Sequence, residues 1–201
     1  MQGLLKFSAL VDAFNERIGK GVVWLVLAAV LVSAVNAGVR KAFNTSSNAF
    51  LELQWYLFSA IFLLGAAYAL RRNEHVRIDV VSGYFTKRAR IWVELAGSVL
   101  FLLPMSLGVL YLSWPVFVNS YLSHEMSNSA GGLIVWPARL LVPAGFLLLS
   151  LQGVSQAIKC AGFLAGACPD PTEKERKVSS EEELAEAIRR QRAAGDGKGG
   201  H

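Results

Sequence analysis

In a chain this apolar, the residues equipped for chemistry are few. Glu52, Glu94 and Arg139 are ionisable side chains set inside long apolar runs. A charge at membrane depth is costly, so it marks either a pathway for ions or protons or a structural pair. Glu94 follows Arg90 by four residues, a helical spacing at which the two can pair or reach headgroups together. Glu52 and Arg139 fall about 5 and 9 Å of helical rise inside the outer ends of their runs. At matching depths a salt bridge between them is sterically allowed. Contact with a partner protein is the alternative, since a buried arginine with no carboxylate is strongly disfavoured. Neither stands at mid-bilayer, where a proton relay would be needed.

The remaining reactive groups lie outside the apolar runs or at their edges. His75, His124 and His201 fall in connections or the tail, so none is placed as an axial haem ligand. Cys160 and Cys168, at the end of the last run, are too few for a zinc cage or a disulfide scaffold and read as reduced thiols. The chain has no P-loop, nucleophile elbow or glycine-rich dinucleotide turn. No catalytic, cofactor-binding or metal-binding residue is therefore expected in it, and it is not read as an enzyme.

The elements that carry these residues are membrane spans. Of 201 residues 53% are hydrophobic and 17% charged, with a mean hydropathy of +0.40, a membrane composition. Apolar runs cover residues 22–39, 49–70, 91–113 and 133–158, each long enough to cross the bilayer with some tilt. The first starts late and is long, which favours a helix over a cleaved signal. The formal net charge of +5 serves topology rather than nucleic acid, for no basic patch is interleaved with stacking aromatics. Seventeen Lys and Arg residues precede the first run, separate the second from the third, or follow the fourth; only Arg40 and Lys41 lie in the other two connections. Basic residues resist translocation, so both termini and the loop around His75 are expected in the cytoplasm.

Residues 1–20 form an amphipathic segment. Leu4, Phe7, Val11, Phe14 and Ile18 recur every three or four positions, with Lys6, Asp12, Asn15, Glu16 and Arg17 opposite. Such a helix lies along the cytoplasmic interface, against a partner, or over its own bundle. The expected fold is an all-α integral membrane protein: the interfacial helix (1–20), a four-helix membrane domain (21–162) and a polar cytoplasmic tail (163–201). In the tail, Ser180 and Glu183 form a capping box and Gly195 a stop. Pro104 should kink the third helix, and Pro137 and Pro143 should bend the fourth. Trp55, Tyr56, Trp114, Tyr121 and Trp136 suit an outer aromatic belt. No internal repeat is visible, whereas carriers that bind their own cargo commonly show duplicated halves.

Two stretches resemble a known family. Glu52, Phe58, Phe62–Tyr68 as Phe-Leu-Leu-Gly-Ala-Ala-Tyr, then Arg71-Arg72-Asn73-Glu74-His75-Val76-Arg77-Ile78-Asp79 form the first; Trp136 with Pro143-Ala144-Gly145-Phe146 and the leucines after it form the second. Together they are similar to the small membrane subunit (DctQ-like) of tripartite ATP-independent periplasmic (TRAP) transporters. The resemblance implies that a large DctM-like membrane subunit holds the sodium and substrate sites and moves as an elevator. A periplasmic substrate-binding protein would deliver an organic acid, and this chain would anchor the immobile scaffold in the bacterial inner membrane. No cofactor would belong to this chain, and sodium would bind the partner.

Read without the family, Arg71, Arg72 and Arg77 can meet lipid phosphates while Val76, Ile78 and Val80 dip into the interface. His75 and Asp79 can pair if their stretch is helical. A self-dimerising exporter would need a carboxylate deep in the first span, where only Asn36 stands. A redox tetraspan would need cysteine pairs or bundled histidines. A scaffold or signalling tetraspan unrelated to transport fits the same pattern of spans. Nothing in the sequence selects among C4-dicarboxylates, sialic acid and similar substrates.

Overall fold

The computed structural model describes residues 2–43, 48–72 and 86–166. They form α1 (Gln2–Phe43), α2 (Asn48–Arg71), α3 (Lys87–Gly97), a π-helical turn (Ser98–Leu102), α4 (Leu103–Leu122) and α5 (Trp136–Leu164). Four stretches are long and apolar enough to cross a membrane: Gly3–Phe43, Asn48–Arg71, Arg88–Leu122 and Trp136–Leu164. The protein is thus an all-α, four-span membrane protein.

The helices run alternately up and down. Ser33 meets Gln54 near one end of the α1–α2 pair, and Gly19 meets Tyr68 near the other. Ser8 meets Ser155 across α1 and α5. The start of α1, the end of α2 and the end of α5 therefore share one end of the bundle, called here the terminal end. The start of α2 and the α4–α5 connection share the loop end.

Three boundaries differ from the sequence pattern. The amphipathic residues 2–20 are not set off as a separate element, because α1 is unbroken through Gly19 and Gly21. Its 42 residues rise about 63 Å, roughly twice the hydrocarbon thickness. Gly19 is at a helix crossing, where any side chain would run into the ring of Tyr68. α4 continues to Leu122, past the expected end at 113 and through Pro115. An aromatic ladder accompanies the extension: Trp114, Phe117, Tyr121 and Trp136 follow one another at centroid distances of 5.9, 6.2 and 5.5 Å. α5 starts at Trp136 rather than 133, because residues 133–135 are tied into the connection. There the Ser127 N–H donates to the Leu133 carbonyl and the Val135 N–H to the Glu125 carbonyl, each at 3.0 Å.

The expected disturbance at Pro104 takes the form of the π turn. The Leu103 N–H reaches back to the Ser98 carbonyl, five residues rather than four. Pro104 then has no N–H to place, and the wider turn keeps its ring clear of the carbonyl four residues before it. By contrast, α5 runs unbroken through the buried Pro143, with Pro137 in its first turn.

Packing inverts the soluble pattern. Gln152 and Ser155 are 0% exposed, and Asn15, Ser106 and Ser120 are also buried. Outside stand Phe62 at 77%, Phe101 at 76% and Tyr111 at 79% exposure. Lipid tails are as apolar as leucine, so helices in a bilayer associate through close backbone approach and polar contacts. Both are present. A Cβ at Gly145 would sit 2.7 Å from the Leu63 Cβ and 2.9 Å from its carbonyl oxygen, so α5 touches the α2 backbone there. Ser150 donates to the Ser106 hydroxyl at 2.9 Å, joining α5 to α4.

Candidate functional site

Three polar assemblies hold the bundle, and they take up most of the charged residues among the spans. The first is at the loop end. Asn48, Glu52 and Tyr56 recur every four residues, so they line one face of α2. That face clamps the α4–α5 connection. One Glu52 oxygen accepts from the Ser127 hydroxyl; the other accepts from the Leu133 N–H at 2.7 Å. Asn48 Nδ2 donates to the Ala130 carbonyl at 3.1 Å, and the Tyr56 hydroxyl to the Ile134 carbonyl at 3.2 Å. The clamped segment folds back on itself through an isolated bridge between Met126 and Ile134. Gly131, at φ 72°, makes the reversal in a region that favours glycine.

The salt bridge that matching depths allow between Glu52 and Arg139 is not formed. Arg139 Nη2 donates to Glu125 Oε1 at 2.6 Å, and Glu52 is committed to the loop. Glu125 immediately precedes the Met126–Ile134 bridge, so it sits beside the first turns of α5 and reaches the guanidinium before Glu52 can. Trp136 opens α5 and stands edge-on to Tyr121. Pro143 is buried two turns further on.

The second assembly gathers at the terminal end around Glu16. Its carboxylate takes Arg71 and, at 2.8 Å, Arg72, while Lys20 approaches at 3.6 Å. The Arg72 guanidinium also covers the Tyr68 ring at 5.3 Å. Arg71 and Arg72, expected to meet lipid phosphates, are thus engaged inside the protein. Glu16 on α1 gives the basic pair at the end of α2 a carboxylate within the protein.

The third is a seam between α1 and α5 that pattern reading did not anticipate. Ser8 and Ser155 share a hydroxyl contact of 2.7 Å, Asn15 Nδ2 donates to Gln152 Oε1 at 2.7 Å, and Asp12 accepts from Ser155 at 2.9 Å and Gln152 at 3.0 Å. Lys159 closes the set with an ion pair to Asp12. Ser8, Asp12 and Asn15 therefore face α5 with Val11 buried beside them, whereas Lys6, Arg17, Leu4, Phe7 and Phe14 are exposed. A signal was present: Ser8, Asp12 and Asn15 on α1, and Gln152, Ser155 and Lys159 on α5, recur at spacings of three and four.

His75 and Asp79 lie outside the described residues, as do Cys168 and the Ser180–Glu183 capping box. Glu94 and Arg90 are one turn apart on α3. Cys160 is buried. Among the described residues no three His, Cys, Asp or Glu side chains group as a metal site.

The fold and these assemblies define a multi-pass helical membrane protein whose spans are locked to one another by internal polar contacts and whose apolar surface faces outward. Residues 29–162, well over half of the chain, match the family described as tripartite ATP-independent periplasmic transporters, DctQ component. The chain belongs to that family: it is a small membrane subunit of a TRAP transporter, and the family is one of transporter components, not of enzymes. No curated protein and no solved structure matches the chain.

Proposed function

We propose that the chain is the immobile scaffold of a sodium-coupled, binding-protein-dependent importer of an organic acid in a bacterial inner membrane. A large elevator-type membrane subunit would carry the sodium and substrate sites, and a periplasmic binding protein would deliver the cargo. The observation that supports this reading best is the membership itself, carried by residues 29–162. The geometry agrees with it. Charged residues of the spans are spent on ties between α1, α2 and α5 or on the loop, which suits a rigid support rather than a moving carrier. Large apolar side chains such as Phe62, Phe101 and Tyr111 project outward, giving surface for lipid and for a neighbouring subunit.

Both termini and the His75 loop are read as cytoplasmic on the distribution of Lys and Arg. His75 and Asp79 are proposed to fix that loop against the large subunit. Asp79→Ala should then lower the amount of large subunit that copurifies, and unchanged recovery would count against the pair. The scaffold role is tested by uptake into proteoliposomes carrying the large subunit, with the binding protein and a sodium gradient supplied. Omitting this chain should abolish uptake; full uptake without it would remove the role.

A further inference from the structure

At the terminal end an open groove of about 310 Å³ lies between α1, α3, α4 and α5. Its walls include Leu4 and Leu5 of α1, Leu95 of α3, Leu103 of α4, and Ala157 and Ala161 of α5; the remaining lining residues are aliphatic too. Water inside it would lack the polar partners that hold a buried water, so the groove stays dry. Its depth can be read along α5. Trp136, the first residue of α5 and edge-on to Tyr121, marks the loop-end boundary. The groove is centred about 32 Å of helical rise beyond it, close to the thickness of the hydrocarbon core. It therefore opens where acyl chains begin under the opposite headgroups.

The charges at this end are divided. Lys20, Arg71 and Arg72 are held by Glu16, and Lys159 by Asp12. Lys6 and Arg88 are exposed and have no ion-pair partner among the described residues. Both lie on helices that wall the groove: Lys6 follows Leu5 on α1, and Arg88 lies two turns, about 10 Å of rise, before Leu95 on the same face of α3, toward the headgroups. The lined stretch of α5, from Val154 to Ala161, rises about 10 Å, and over that length a helix about 10–12 Å across fills on the order of 800 Å³, well above the 310 Å³ of the groove, so a partner helix does not fit. A single acyl chain does.

We infer that this groove seats the first part of one acyl chain of an anionic membrane phospholipid, with Lys6 and Arg88 meeting its phosphate. Basic pockets between spans on the cytoplasmic side hold lipid headgroups in this way. The inference rests on the membrane fold and not on the transporter reading, so each can fail without the other.

The test uses the full chain in nanodiscs of phosphatidylcholine, doped with either phosphatidylglycerol or phosphatidylcholine bearing a photoactivatable group on the acyl chain. Labelled residues are mapped by mass spectrometry. Labelling at Leu95 and Ala157 is expected, with a preference of about tenfold for the anionic probe given two cations near the phosphate. Lys6→Gln with Arg88→Gln should erase the preference while leaving labelling in place. Ala157→Phe should fill the groove and lower labelling from either probe; if that variant does not fold, the surface pair decides alone. Equal labelling by the two probes in the unaltered chain overturns the inference. So does labelling that avoids the groove walls.

Discussion

Glu52 spends its carboxylate on a loop, not on the arginine at equal depth. A sequence shows that a charge lies in an apolar run, and depth arithmetic then brings Glu52 and Arg139 together. It does not show that a backbone N–H at Leu133 points at the carboxylate, because backbone donors leave no mark on residue type. Glu125, the carboxylate that does meet Arg139, was visible fourteen positions upstream, but its reach depends on how the intervening loop folds back. Replacing Glu52 with Ala should free the Leu133 N–H and the Ser127 hydroxyl. Amide exchange across residues 126–135 should then quicken, while exchange within α1 stays as it was; an unchanged loop would remove Glu52 from its latch role. At the other end, Glu16→Gln leaves two guanidinium groups with a neutral partner. Partly exposed as they are, a loss of about 1–3 kcal/mol is expected, read as a lower melting temperature in detergent.

The elements were legible where hydrophobicity alone decides them. Four runs of apolar residues became four spans, since a backbone in lipid must satisfy its own hydrogen bonds and a helix does so locally. Their limits were less legible. The change from amphipathic to uniformly apolar sequence near residue 20 reads as a boundary, yet Gly19 serves a crossing with Tyr68 and α1 continues. The third apolar run ends at 113, yet α4 carries on through Pro115 to Leu122. Of the three placements open to the amphipathic segment, packing over its own bundle is the one seen: Ser8, Asp12 and Asn15 meet α5, where Gln152 and Ser155 offer partners that lipid cannot. Close approach predicts a further outcome. Gly145→Leu would push its side chain into the Leu63 backbone, and separating α2 from α5 should cost about 1–3 kcal/mol. Thermal unfolding compared with Gly108→Leu provides the control, because nothing lies within 4 Å of a Cβ there.

Across the described spans, the charged ties sit toward both ends and large apolar side chains face outward between them. That arrangement was only half readable from the chain: the apolar surface follows from composition, whereas the ties join residues 140 or so positions apart on α1 and α5. If the seam supports the assembly, Asn15→Leu should weaken copurification of the large subunit only to the extent that it lowers stability. Asn15→Leu combined with Gln152→Leu should recover part of both, since neither polar group is then left alone. Selective loss of copurification with unchanged melting would instead assign the seam to the partner. The pairing of Ser8 with Ser155 and of Glu16 with Arg71 and Arg72 also has a geometric corollary. An even number of crossings means that fluorescent reporters grafted before Gln2 and after Leu164 must emerge into the same compartment, so a partner joined covalently behind α5 would have to begin its own first crossing from that side.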